Sequence, residues 1–189
     1  VRYGPLHVDD AIARCDALLA EAGADRAVEM GIRTALGCLA AMRGEFATAR
    51  EHVDSARSTS EEFGYGGMLA RDLAQATAEL AMLAGEPQSA EPVLRDACAT
   101  LERDGDAAWL ATQSAALADA VHTDGRVAEA LELTARAKAL APAGDVVAQV
   151  AWRRVRAPLL AETGELAEAE SLAREALALL DSTDQVNER

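Results

Sequence analysis

A glycine returns along this chain about every 40 residues, and the same two alanines follow it each time. The glycines are Gly44, Gly85, Gly125 and Gly164. The first alanines are Ala49, Ala90, Ala130 and Ala169, and the second are Ala56, Ala97, Ala137 and Ala176. All three series step by 41, 40 and 39 residues. In an alanine-rich chain matching alanines are cheap, but a glycine recurring on the same period is not. A period of this length marks a small unit that buries its apolar face by stacking on copies of itself.

Each glycine has a physical task. A helix runs into it, and glycine accepts the left-handed conformation that ends the helix. The chain then reverses into a second helix. Residues seven apart lie two turns apart on one helix face, so the two alanines let the second helix approach the first closely. A bulky residue at Ala49 or Ala137 is expected to push the pair apart.

Apolar spacing supports helices on both sides of the glycines. Leu73, Ala76, Leu80 and Leu83 precede Gly85, and Leu166, Ala169, Leu172, Ala173, Ala176 and Leu180 follow Gly164. Both sets keep to one helical face. Breakers separate the pairs: Gly64-Tyr65-Gly66-Gly67, Asp104-Gly105-Asp106 and Pro142-Ala143-Gly144-Asp145. Asp106 and Asp145 are expected N-caps.

The pattern predicts helices over residues 8–22, 25–43, 46–62, 67–84, 89–102, 106–123, 127–141, 146–163 and 166–181. Pro92 fits this map only in the first turn of a helix that begins near Ser89. Pro158 falls inside a helix, where it removes one backbone bond and is expected to kink it. Residues 1–189 read as a single repeat domain. Within it 8–22 is the second helix of a truncated repeat, and 25–62, 67–102, 106–141 and 146–181 are four helix pairs. The fold class is all-α. Because the chain begins at Val1 rather than Met, it is expected to be a fragment of a larger protein with flanking domains.

Composition agrees. Ala, Leu, Glu and Arg, the strong helix formers, dominate, and aromatics are only 3%, which leaves little to build a sheet from. The net charge of −14 repels phosphate backbones, so direct nucleic-acid binding is not expected. That charge keeps an alanine-rich surface in solution, or it prepares a face for a basic partner. Cys15, Cys38 and Cys98 are odd in number and far apart, without a C-x-x-C. They read as small core residues in a reducing cytoplasm. No signal peptide and no membrane-spanning apolar run is visible, so no membrane partner is expected.

The pattern resembles the tetratricopeptide repeat. That family places a small residue in the middle of the first helix, a glycine at the turn, two small residues on the second helix and often a terminal proline. Gly37, Ala78, Ala118 and Ala157 take the mid-helix place, and Pro142 matches the terminal proline in the third repeat. Aliphatic residues replace most of the family's aromatics, and the period is about 40 rather than the usual 34. The resemblance implies a right-handed superhelical stack of antiparallel helix pairs, an α-solenoid with a lengthened period. Such lengthened arrays resemble the C-terminal regions of actinobacterial signalling and transcriptional regulator proteins that pair a nucleotide-hydrolysing switch with an effector. Stretches such as 10–15 and 145–153 are similar to arrays of cyclase–ATPase proteins.

No motif for chemistry is present. Gly64-Tyr65-Gly66-Gly67 lacks the Lys and hydroxyl of a phosphate loop and reads as a turn. Asp119 and His122 lie three apart on one helix, a spacing that admits a metal pair but has no third ligand. No catalytic, metal or cofactor site is expected, and the chain is not expected to be an enzyme.

A stack offers a groove instead, its inner wall made by the first helices. By resemblance that wall carries Thr34, Cys38 and Met42, then Asp72, Gln75, Glu79 and Met82, then Thr112, Asp119 and His122, then Arg154 and Glu162, with Arg153 at its edge. The clamp of Lys, Asn and Arg of co-chaperone members is absent, and Asp72, Gln75, Glu79 and Asp119 hold that zone, so a basic extended peptide suits it. Each of these residues also fits an ordinary solvated helix face. Trp109 and Trp152 read as inter-repeat packing residues or as partner anchors.

The leading expectation is a cytoplasmic protein-interaction and sensor domain. Its partner is a peptide, another protein or an upstream domain of the same protein. Small-ligand sensing, or a structural spacer that forms a homodimer through its end helices, are the competing readings.

Overall fold

The computed structural model describes residues 4–184, and among them every regular element is helical. The helices are α1 (Val8–Glu21), α2 (Arg26–Met42), α3 (Phe46–Phe63), α4, α5 (Pro87–Asp104), α6 (Ala107–Thr123), α7 (Val127–Leu140), α8 (Val146–Glu162) and α9 (Leu166–Asp181). Helix α4 opens with Gly66–Met68, passes through a π-helical segment at Leu69–Leu73 and continues as α-helix through Ala74–Leu83. No described helix is long and apolar enough to cross a membrane.

The helix ends follow from the glycines. At Gly44 the backbone turns left-handed, with φ of 77°. The Gly44 N–H donates to the Ala41 carbonyl at 2.9 Å and the Glu45 N–H reaches back to Ala40 at 2.9 Å. This pair of bonds closes the last turn of α2 and satisfies carbonyls that a helix end would leave bare. Glu45 then accepts from the Ala49 N–H at 2.9 Å, the first bond of α3. One residue thus closes one helix and opens the next. Gly85, Gly125 and Gly164 repeat the geometry, with Glu86, Arg126 and Glu165 donating back to Ala81, Val121 and Leu160.

Aspartates open three of the four first helices. Asp106 accepts from Trp109 N–H and Asp145 from Ala148 N–H, as their positions predict. Asp25, which the sequence reading passes over, caps α2 by accepting from Ala27 and Val28 N–H, both at 3.1 Å. The fourth, α4, begins instead with Gly66 and Gly67, and it is the helix that holds the π-helical segment. Two corrections concern α5. It begins at Pro87 rather than near Ser89, so proline takes the first position. Pro92 therefore stands in the second turn, and its place is exposed. Pro158 lies within α8, as expected, also on an exposed position.

The chain forms two compact units, and the division falls inside the second repeat, after Glu86. In the first unit α1 packs on α2 through Ala11, Cys15, Leu36 and Leu39. Helices α2 and α3 form a hairpin, and α4 lies against both. Its core gathers Met30, Cys38, Ala49, Val53, Ala56, Leu73, Ala76 and Leu80. Helices α2 and α3 approach closely at Gly37, where an added Cβ would stand 2.7 Å from Val53 Cγ2 and 3.3 Å from the Ala49 carbonyl oxygen.

The second unit spans Pro87–Thr183. Here α6 packs on α5, α7 and α8, α7 also packs on α8, and α8 forms a hairpin with α9. Trp152 is 2% exposed within a cluster of Ala115, Ala137, Ala157, Leu160, Ala169 and Leu172. It is therefore a packing residue, while Trp109 is half-buried.

All eight repeat alanines are buried. Ala49 and Ala137 are 0% exposed, so Leu in either place must force the pair open. Each change is expected to destabilise the chain by about 1–3 kcal/mol in chemical denaturation. Ala47→Leu, on the exposed side of α3, is expected to shift stability by less than about 0.5 kcal/mol.

Candidate functional site

The residues expected on the first-helix wall fall into both units. In the first, Asp72 lies within the π-helical segment of α4, and Gln75 and Glu79 follow it. The opposite side of this helix is committed to the core through Leu73, Ala76 and Leu80. Asp72 is exposed, while Gln75, Glu79 and Met82 are half-buried. Gln75 Nε2 donates to Glu79 Oε1 at 2.8 Å, one turn along. Its own Oε1 is buried and accepts no hydrogen bond from the described residues. A π turn adds one residue to a helical turn and so rotates the face that follows it. No periodicity in the sequence announces this.

Helix α2 contributes less than expected. Cys38 is 1% exposed and belongs to the core beneath α3 and α4, which removes it from any ligand-facing wall. Thr34 is also buried, its hydroxyl donating to the Met30 carbonyl at 2.9 Å. Met42 is half-buried against the α1–α2 cluster.

In the second unit four expected residues meet. His122 Nε2 and Glu162 Oε1 are 2.8 Å apart, joining α6 to α8. Arg154 Nη2 lies 3.8 Å from Asp119 Oδ2 across the same pair of helices. The structure thus turns an Asp–His metal spacing into one cross-helix hydrogen bond, His122 to Glu162, and one cross-helix ion pair, Asp119 to Arg154. Among the described residues no group of three or more His, Cys, Asp or Glu is placed to hold a metal ion. Thr112 is buried.

Arg153 does not stand with Arg154. Its guanidinium stacks on Trp152, 4.2 Å from the ring centroid, and its Nε donates to Glu175 Oε2 of α9 at 3.0 Å. Successive helical residues point about 100° apart, so these two arginines serve different neighbours. The pairing holds the Glu175 carboxyl below the usual carboxylate range.

The second helices carry a different electrostatic pattern. Arg50 pairs with Glu86 at 2.9 Å. Glu91 and Arg126 occupy the same two repeat positions with the charges exchanged, and they too are paired. Arg95 and Glu129 complete a four-membered network on α5 and α7. The guanidinium groups of Arg126 and then Arg95 hold the Glu91 carboxyl below its ordinary range. These charges are neutralised within the molecule.

Cys15, Cys38 and Cys98 are buried, and none forms a disulfide. Burial pushes Cys15 and Cys98 up, away from the reactive thiolate. A cleft of about 410 Å³ in the second unit is lined by Leu101, Leu110, Leu140 and the paired Glu102 and Arg136. None of the residues expected on the wall reaches it. No protein-family model, curated protein or solved structure matches this chain.

The Glu91 network generates a pH prediction. A free glutamate titrates near about 4.3. Folded Glu91 titrates lower, so the stability it adds is complete above that range and fades as pH falls through its folded value. Glu91→Gln is expected to lower Tm at neutral pH, with the gap to wild type closing as pH drops from about 5 to about 3. A gap that stays constant in thermal melts across this range contradicts the assignment.

Proposed function

We propose that this chain is a protein-interaction and sensor domain of a bacterial regulatory or signalling protein, built from tetratricopeptide-like repeats in a right-handed superhelical stack. It has no catalytic role. Its ligand is an extended peptide, or an upstream domain of the same protein, bound on the face of the first helices.

One observation carries the reading. Helix α4 is held by Leu73, Ala76 and Leu80, yet its other side keeps Asp72, Gln75 and Glu79 at exposed or half-buried positions. The acidic side of α4 is suited to a segment that carries Lys or Arg, in keeping with the net charge of −14.

The test is fluorescence anisotropy with labelled extended peptides, one Lys/Arg-rich and one of matched length rich in Asp and Glu. The basic peptide is expected to bind and to weaken as salt rises. An Asp72→Lys, Glu79→Lys variant is expected to lose about tenfold or more in affinity, worth about 1.4 kcal/mol. Equal affinity for both peptides, or a variant that binds like wild type, contradicts the reading.

A further inference from the structure

Helix α7 stops short, and a cleft lies beside its end. It runs 14 residues, whereas α3 and α5 each run 18. Its last helical residue is Leu140, so Pro142 stands two places on, where Gly44, Gly85, Gly125 and Gly164 stand after α2, α4, α6 and α8. A proline drives the residue before it out of the helical conformation. Ala141 is accordingly extended, with φ of −66° and ψ of 117°. Between this early stop, the last turn of α5 and the start of α6 lies the cleft of about 410 Å³, with Leu101, Leu110 and Leu140 on its walls.

The proline also leaves the helix end chemically open. After α2, the Gly44 N–H donates to the Ala41 carbonyl and the Glu45 N–H to the Ala40 carbonyl. The corresponding acceptors on α7 are the carbonyls of Ala139 and Lys138. Pro142 has no N–H to give. Among the described residues no group donates to the carbonyls of Lys138, Ala139 or Leu140. Gln149 Nε2 serves only the next two, Ala141 at 3.0 Å and Pro142 at 3.1 Å. The unmet acceptors are therefore those of the last helical turn, and two of their residues, Ala139 and Leu140, line the cleft.

The charges around the cleft select its occupant. Unmet carbonyls at a helix C-terminus carry the negative end of the helix dipole and favour a cation. Lys138, the basic residue of that last turn, does not supply it, because its ammonium lies over Trp152, 5.3 Å from the ring centroid. Arg136 and Glu102 also line the cleft, but they are paired with each other at 3.0 Å and offset one another. What is left is a leucine-walled space with acceptors that lack donors. An ammonium group brings three donors, a positive charge and no acceptor. A carboxylate brings acceptors alone and would face bare carbonyls. A space of this volume takes a small organic molecule.

We infer that this cleft binds a small primary amine with an apolar body, its ring or short alkyl chain against Leu101, Leu110 and Leu140 and its ammonium on the open end of α7. The site is separate from the acidic side of α4, and neither reading depends on the other.

The probe is phenethylammonium, compared with 2-phenylethanol and 3-phenylpropionate, which carry the same ring on a neutral and an anionic head. Each is titrated into the intact chain and followed by backbone amide shifts in NMR. The ammonium is expected to give saturable shifts at Leu110, Ala139 and Leu140 and to bind about tenfold or more tighter than the carboxylate. Ala139→Phe, at an exposed position on the cleft wall, fills the space. It is expected to weaken binding about tenfold or more while the thermal melt is retained. Pro142→Gly restores an N–H to close the helix, and is expected to lower the ammonium's affinity to that of the alcohol. The Asp72→Lys, Glu79→Lys variant is expected to bind the amine like wild type. Absence of saturable binding overturns the inference, as does a carboxylate that binds as tightly as the ammonium. Binding indifferent to Ala139→Phe or to Pro142→Gly overturns it too, and so does binding that the Asp72→Lys, Glu79→Lys variant abolishes, since the amine would then sit on α4.

Discussion

The close approach of α2 to α3 at Gly37 sets the terms for the rest of the first unit. Val53 Cγ2 and the Ala49 carbonyl occupy the space a side chain at Gly37 would need. Dispersion falls steeply with distance, so stability in such a seam comes from the absence of a gap rather than from the size of any one side chain. The buried alanines Ala90, Ala97, Ala130, Ala137, Ala169 and Ala176 extend the same device along the other second helices. Small seams also keep the connection short: Arg43, Gly44 and Glu45 suffice to link α2 to α3.

Tight helix pairs leave the polar work to their outer sides. Charges on the second helices are arranged in pairs that join one repeat to another, and the exchange of sign between Arg50–Glu86 and Glu91–Arg126 keeps a shared geometry with reversed partners. On the first helices His122–Glu162 and Asp119–Arg154 do the same between α6 and α8. Exposed pairs of this sort contribute little to stability individually. Their effect is to set which helix faces which.

Much of the architecture was legible because it rests on local rules. Gly44, Gly85, Gly125 and Gly164 end helices for a conformational reason visible in one residue, and Asp106 and Asp145 cap for a reason visible within a turn. Asp25 obeys the same rule and was open to the same argument. The π-helical segment at Leu69–Leu73 was not legible, since adding a residue to one turn leaves no signature in a window of apolar spacing. Pro92 misled for a related reason. The rule against interior proline places it in the first turn, yet Pro87 already held that position.

By itself the sequence determined that this chain is helical, at which glycines and aspartates most of its helices end or start, and which small residues line the seams between them. Each of these is a property of neighbouring residues or of one helical period. Only the tertiary structure decided that Cys38 is core rather than wall, and that Arg153 turns to Trp152 and Glu175 while Arg154 turns to Asp119. Those outcomes depend on which helix arrives from some 20 to 40 residues away. A side chain's neighbours at that range are set by how helices pack, which no single stretch of sequence encodes.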